Sequence, residues 1–389
     1  MAYKSKLLYF SRTTLFGGAE ISMYDIIRKT DRDKYEPVCI LPDKSGLLYD
    51  KLLEAKAELI IFRMPFIKKT INPFLLFWFF LALIFSNIKL IFVLKKINPD
   101  IVICNSFQDS FYAAIPSKLL RKKFVINIKN ILDKQWKKRL RAMICSFFAD
   151  KVIASSERNA DDYRNYSKKK DKVSVIYDGI DVEEFENGYS EHDVYLDYLD
   201  SDDKAVRILN IGNISELKGQ FLLVRAIASD LLKNIDVKVF FAGDVNFQKD
   251  IEYKEKIIDF IKQEELQDKI FFMGFVNNIK DYIRYSDIIV HCPVIEEGLG
   301  MVVLQGFCYK KIVIGTDIGG IPEMIDDRVN GFLCKPEPGD VAEKIISVIS
   351  NMDSLGEIRQ NAYIKLKEIF TLEEKVKKTE KIYGELLNK

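Results

Sequence analysis

The residues best suited to chemistry lie in one stretch, CPVIEEGLGMVVLQGFCYKKIVIGTDIGGIPEMIDD at 292–327. It reads as a strand end, a glycine loop with Gly298, Leu299 and Gly300, a short helix opening at Met301 and Val302, a strand, and a second glycine loop at Gly319 and Gly320 before another helix. Two such loops at the carboxyl edge of adjacent parallel strands present backbone N–H groups at helix N-termini, a geometry suited to a diphosphate. Glu297 precedes the first helix and Gln305 stands eight residues later, about two turns along, so the pair can reach opposite ends of one ligand. A carboxylate there suits sugar hydroxyls through charge-assisted hydrogen bonds and can stabilise positive charge on a sugar ring, while the amide suits a ribose diol. Lys218, in IGNISELKGQ (211–220), offers a third side, because an ammonium there would neutralise a diphosphate leaving group.

Other candidates carry less. His192 and His291 are the only histidines, too few and too far apart for a metal site, and His291 falls within an apolar strand, where a satisfied structural imidazole is the ordinary outcome. The D-x-D spellings at Asp31/Asp33 and Asp200/Asp202 fall in a turn and a linker, so no metal is expected. Six cysteines without C-x-x-C or zinc spacing point to a reduced, cytoplasmic compartment. Near the start, the strand KLLYF is followed by the loop SRTTLFGGAE and a helical pattern. There Gly17 and Gly18 would let a phosphate or another ligand approach the backbone. No G-x-G-x-x-G is present, which argues against a dehydrogenase.

These residues need elements to hold them. With 389 residues, 48% of them apolar, the chain has material for two cores. Strands are legible at 6–10, 38–41, 59–62, 101–104, 124–128, 151–154 and 173–176, alternating with helical stretches, which indicates a parallel, doubly wound α/β sheet. A polar, acidic stretch to Asp203 reads as a linker. A second α/β pattern follows, with strands at 207–213, 237–244, 270–276, 288–292, 312–316 and 331–334. The expected organisation is an N-terminal Rossmann-like domain at 1–187, a C-terminal one at 204–370, and a last amphipathic helix at 371–389 opened by a capping box at Thr371 and Glu374. Two such domains facing each other across a cleft would bind ligand there.

The net charge of +2 hides an asymmetry: residues 1–175 hold 33 basic against 17 acidic side chains, and the remainder 26 against 40. A basic first half suggests an anionic partner, either membrane lipid or nucleic acid. Phe74–Leu94 decides for lipid. Twelve consecutive apolar residues, Phe74 to Phe85, precede a second apolar run, roughly the length of one membrane crossing at about 1.5 Å per residue. A crossing is excluded, because it would put strands of one sheet on opposite sides of a bilayer. Two readings remain. One is a helix lying in the membrane interface, or a hydrophobic lid, ringed by Lys68, Lys69, Lys89, Lys95 and Lys96. The other is two helices, or one packed in the core. The density of Phe, Trp and Leu favours the first.

In order and spacing, GGAE (17–20), VIASSE (152–157), YDGID (177–181), IGNISELKGQ, FAGD (241–244), FFMGFV (271–276), YSDIIVHCP (285–293), EEGLGMVVLQGF (296–307), VIGTDIGGIPEMI (313–325) and NGFLCKPE (330–337) resemble glycosyltransferase family 4. These are the retaining, nucleotide-sugar-dependent glycosyltransferases of GT-B fold. The resemblance implies a nucleotide-diphosphate sugar held mainly by the second domain and an acceptor held by the first. It places Glu297 on the donor sugar hydroxyls, Lys218 and the amides of Gly300–Val302 on the diphosphate, and Gly18 near the phosphates or the acceptor. It also implies no obligatory metal and no cofactor beyond the nucleotide-diphosphate sugar as co-substrate.

Three positions depart from the family pattern. Gln305 stands in place of the second glutamate, Asn213 in place of the phosphate-binding arginine, and Asn127 or Lys129 where many members have a first-domain histidine. The amide of Gln305 still reaches a ribose diol, at a loss of about 1 to 2 kcal/mol as a charge-assisted bond becomes neutral. The expected function is transfer of a sugar to a lipid-linked or surface-polysaccharide precursor by an enzyme peripheral on the cytoplasmic membrane face, with no nucleic acid partner. The alternative is a non-catalytic GT-B protein that binds nucleotide sugar or acts as a scaffold.

Overall fold

The structure is a computed structural model that describes residues 3–65, 72–187, 204–245, 247–276 and 278–388. Lys68, Lys69, His192, Asp200, Asp202 and the linker to Asp203 lie outside them. The chain forms two compact units, Met1–Asp178 with Leu372–Lys389, and Gly179–Thr371.

In the first unit, β1 (Ser5–Phe10), β2 (Tyr35–Leu41), β3 (Glu58–Ile61), β4 (Ile101–Cys104), β5 (Lys123–Ile128), β6 (Lys151–Ala154) and β7 (Val173–Val175) form one sheet in the order β3-β2-β1-β4-β5-β6-β7. Every pairing is parallel. The strands are apolar on both faces because helices cover both: Leu8, Val102 and Ile126 enter one core layer, Leu7, Ile103 and Val125 the other. The helices are α1 (Gly18–Lys29), α2 (Leu47–Glu54), α3 (Pro73–Ile97), α4 (Ser110–Leu119), α5 (Gln135–Phe148) and α6 (Glu157–Arg164). Chain order reverses between β1 and β4, so the loops leaving these two strand ends diverge and open a crevice.

Residues 74–94 form neither two helices nor a core helix. They belong to the single helix α3, which Asn72 caps through Oδ1, accepting the Phe74 N–H at 3.0 Å. One narrow face, Ser86, Asn87, Leu90 and Leu94, is buried. Asn87 Nδ2 donates to Leu83 O at 2.9 Å and to Phe111 O at 3.2 Å, which pins the middle of the helix to α4. Phe77, Trp78, Phe80, Phe85 and Phe92 are exposed on the remaining surface. The helix is long and apolar enough to cross a membrane, but it joins β3 to β4 of one sheet, which excludes a crossing.

The second unit holds β8 (Val206–Ile211), β9 (Val237–Ala242), β10 (Ile270–Gly274), β11 (Ile288–His291), β12 (Ile312–Thr316) and β13 (Phe332–Cys334), paired in the order β10-β9-β8-β11-β12-β13, again all parallel. Its helices are α7 (Val182–Asn187), α8 (Gln220–Ile227), α9 (Gln248–Gln263), α10 (Ile279–Tyr285), α11 (Met301–Cys308), α12 (Ile321–Met324), α13 (Pro338–Ser350) and α14 (Gly356–Ile369). The first unit gives way to the second after Asp178 rather than at 187. Residues of α7 pack within the second unit, where Tyr309 Oη donates to Phe185 O at 2.8 Å and the two rings lie 5.7 Å apart.

The last helix, α15 (Leu372–Leu387), belongs to the first unit. It carries Lys375, buried at 4% exposure, whose Nζ lies 2.8 Å from Asp178 Oδ1 and donates to Ser22 Oγ at 2.8 Å and Ser22 O at 3.0 Å. Burial would raise the Asp178 carboxyl, but Lys375 and then Lys129 outweigh it and hold the pKa below the usual carboxylate range. A group depressed in this way contributes stability above its unfolded pKa, about 3.9, and that contribution fades as pH falls. Lys375→Met should therefore lower the stability of the first unit by about 3 kcal/mol at pH 7, by stranding a carboxylate. Adding Asp178→Asn should restore part of the loss, as read from denaturant unfolding of the single and double variants.

Candidate active site

At the carboxyl edge of the second sheet, β8 and β11 are neighbours whose connections run away from each other, the place where such sheets bind ligands. The loop after β8 brings Lys218, in the turn Glu216–Lys218. The loop after β11 brings Glu297. They are stitched together by Val294 N donating to Leu217 O at 3.0 Å. The loop after β12 closes the third side, with Gly320 N donating to Glu297 O at 3.0 Å and Thr316 Oγ1 to Pro293 O at 2.8 Å. Gly319 sits at φ +63°, and a Cβ there would fall 2.4 Å from Glu297 O, so only glycine lets this loop lie against the Glu297 backbone.

Lys218 and Glu297, far apart in sequence, are thereby brought together: Lys218 Nζ lies 2.7 Å from Glu297 Oε1. On the other side His291 Nε2 lies 3.3 Å from Glu297 Oε2, with the imidazole 2% and the carboxylate 11% exposed. Burial alone raises a carboxyl pKa, but His291 and Lys218 prevail and bring Glu297 down to about 2. The carboxylate is therefore ionised throughout the neutral range. Its charge is compensated, yet Glu297 Oε1 and His291 Nε2 are buried without an aligned hydrogen-bond partner among the described residues.

Gly298, Leu299 and Gly300 lead into α11, whose start at Gly300 has no side-chain cap. The amides of Met301 and Val302 in its first turn have no partner within the helix. Gln305 is half-buried on the same helix, and Asn213 is exposed in the loop after β8. His291, read from the sequence as a structural imidazole, stands beside the Glu297 carboxylate. The available signal was its position, the last residue of the strand that delivers the Glu297 loop.

In the first unit the expectations fare differently. The start of α1 at Gly17–Gly18 is not an open phosphate cradle: the Glu20 carboxylate folds back onto the amides of Glu20 and Gly17. A Cβ at Gly18 would meet no protein atom within 4 Å, so protein packing does not require the glycine. Asn127 Nδ2 is tied to Cys104 O at 3.0 Å. Lys129 Nζ donates to Ala19 O at 2.8 Å and to Asn105 Oδ1 at 3.0 Å, and burial draws its pKa down to about 8. Both side chains hold the strand-end loops instead of standing free beside a sugar. Beside them is a small cavity of about 20 Å³ whose lining mixes Asn105, Lys129, Asp178 and Lys375 with Met23, Ile153 and Ile176, with room for one water. Above them, an open pocket of about 300 Å³ is lined by Arg12, Gly18, Glu20, Gln108, Asp109 and Asn130 among others.

Comparison with known proteins agrees with this arrangement. The profile described as Glycosyltransferase Family 4 matches residues 16–184, and that described as Glycosyl transferases group 1 matches 197–365, so together the two span most of the chain. The chain belongs to glycosyltransferase family 4. An uncharacterised glycosyltransferase of Methanocaldococcus jannaschii is 26% identical over 77% of this chain and 79% of its own length. The N-acetyl-alpha-D-glucosaminyl L-malate synthase of Bacillus anthracis is 26% identical over 61% of this chain and 60% of its own. In fold, this glycosyltransferase matches a Rickettsia africae glycosyltransferase at a TM-score of 0.84 and 23% identity, covering 99% of each chain. It matches the Anabaena protein HepE, in complex with UDP and glucose, at 0.81 and 21%, covering 98% of this chain and 99% of that one. These matches establish the GT-B fold.

A depressed Glu297 contributes stability that is full above the unfolded glutamate pKa, about 4.3, and is lost as pH falls through about 2. In Lys218→Met this glycosyltransferase should be less stable by roughly 1–3 kcal/mol at pH 7. Denaturant unfolding between pH 7 and pH 3 should show the gap to wild type narrowing as the carboxylate takes up its proton.

Proposed function

We propose that this glycosyltransferase moves a sugar from a nucleotide-diphosphate donor to a lipid-linked or surface-polysaccharide precursor, with retention of anomeric configuration. The observation that carries the donor half is the ionised Glu297 held between Lys218 and His291 at the strand-order switch of the second sheet. Glu297 Oε1 accepts donor sugar hydroxyls. Lys218 and the amides at the start of α11 meet the diphosphate as the glycosidic bond breaks, so charge on the leaving group is neutralised without an obligatory metal. Gln305 holds the ribose diol. The HepE structure with UDP and glucose supports a nucleotide-sugar donor.

The acceptor half rests on α3. Its exposed aromatic face, with exposed Lys89, Lys95 and Lys96 on the same helix, suits the interface of an anionic bilayer and would keep the enzyme peripheral on the cytoplasmic membrane face. A relative from Campylobacter jejuni, 28% identical over 48% of this chain and 46% of its own length, is named as an N-acetylgalactosaminyltransferase acting on a diphospho-undecaprenol sugar. That supports a lipid-linked acceptor here.

Thermal stabilisation by a panel of nucleotide sugars should single out one donor, and slow hydrolysis of that donor should disappear in Glu297→Ala and Lys218→Ala. Binding without turnover would instead favour the non-catalytic alternative. Gln305→Glu should strengthen donor binding by about 5- to 30-fold, the equivalent of about 1 to 2 kcal/mol. Sedimentation with anionic liposomes at low salt should retain the wild type and release Phe77→Ser/Trp78→Ser/Phe80→Ser. Equal retention would sink the membrane assignment.

A further inference from the structure

We infer that His291 is a positioning residue for Glu297, a role that rests on the donor-site reading above and names the group that fixes its carboxylate. His291 ends β11, and the six-residue excursion to Glu297 brings Nε2 to 3.3 Å from Oε2. On its other flank the ring lies against Gly300, where a Cβ would fall 2.9 Å from Nε2 and 3.0 Å from Cδ2. The imidazole is thus clamped between the carboxylate and the residue that opens α11. A side chain at position 300 would push the ring off the carboxylate.

Burial at 2% exposure fits a structural histidine equally well, but the hydrogen bonding does not. A structural imidazole satisfies its buried nitrogens elsewhere in the protein. Here Nε2 has no aligned partner among the described residues, and the Glu297 carboxylate lies 3.3 Å from it. A proton on Nε2, in the neutral tautomer or in the imidazolium, makes the contact with Oε2 attractive. Lys218 approaches the other oxygen, at 2.7 Å. Two cation-or-donor groups on opposite oxygens fix the carboxylate plane, and the remaining acceptor capacity on buried Oε1 is left for a sugar hydroxyl. Without the imidazole the carboxylate would keep only Lys218 and could swing about it.

The role predicts a selective defect. Glu297 serves the sugar, whereas Lys218 and the start of α11 serve the diphosphate, so loss of His291 should weaken the sugar-bearing donor far more than its sugar-free nucleotide. The full chain would be titrated with UDP-, GDP-, ADP- and dTDP-hexoses, each beside its nucleoside diphosphate, and donor hydrolysis followed for the pair that binds. For His291→Leu, affinity for the nucleoside diphosphate should stay within about 2-fold of wild type, while kcat/KM for the hexose conjugate falls about 10-fold or more. His291→Gln, whose amide can donate to Oε2, should recover most of the loss.

Because the chain has only two histidines, His192→Gln leaves His291 as the sole imidazole signal in nitrogen NMR. That signal should shift with the hexose conjugate and not with the nucleoside diphosphate. Equal losses for conjugate and nucleotide, a Gln variant no better than Leu, or an unmoved ring signal in the otherwise wild-type chain would each overturn the positioning role. A wild type that turns over donor while His291→Leu matches it would overturn this role alone. A wild type that binds no conjugate would overturn the donor reading itself and this role with it.

Discussion

The second unit is arranged around one electrostatic constraint: a carboxylate as enclosed as Glu297 can stay ionised only if cations or donors are held against it. Desolvation pushes its pKa up, and His291 with Lys218 pulls it to about 2. Lys218 is far from it in sequence and His291 six residues before it. They meet because β8 and β11 are adjacent at the point where strand order reverses, so one strand end supplies the lysine and the other supplies both histidine and glutamate. The loop after β12 then presses on the Glu297 backbone, and Gly319 is the residue that permits that approach. The same topology that builds a buried apolar sheet therefore also gathers the charged cluster at its edge.

How much of this was legible beforehand follows from what each residue depends on. The strands were readable because a strand covered on both faces must be apolar along its length, and runs such as IVIC and IVIGT admit little else. Glu297, Lys218 and the glycine loops were readable because they sit at fixed offsets from those strand ends. The place of His291 beside Glu297 was not, since it depends on a return of chain over six residues that leaves no periodic trace. The first-unit loop misled for a related reason: Gly17–Gly18 before a helix looks like an anion site, but the carboxylate three residues on from Gly17 folds back and occupies the helix start.

In the first unit polar groups are spent on holding the architecture. Lys375 anchors α15 to Ser22 and Asp178, and Lys129 ties the first turn of α1 to Asn105. Two ammonium groups and a carboxylate in one interior are tolerable because each ammonium has at least two oxygen partners.

The helix α3 follows the opposite rule. Its composition would suit a bilayer core, yet Ser86 and Asn87 lie on its buried face, and Asn87 binds it to α4 through the Phe111 carbonyl. A polar pair in the middle of an apolar helix is costly to leave in lipid, and the Asn87 amide N–H finds carbonyl partners against protein, so these two residues choose which face turns inward. Leu90 and Leu94 extend that face by one and two further turns, and the aromatic residues are left outside by geometry. The exposed face is thus a consequence of where the polar pair sits. A sequence with Ser86 and Asn87 moved two positions along the helix would bury a different stripe and present a different surface.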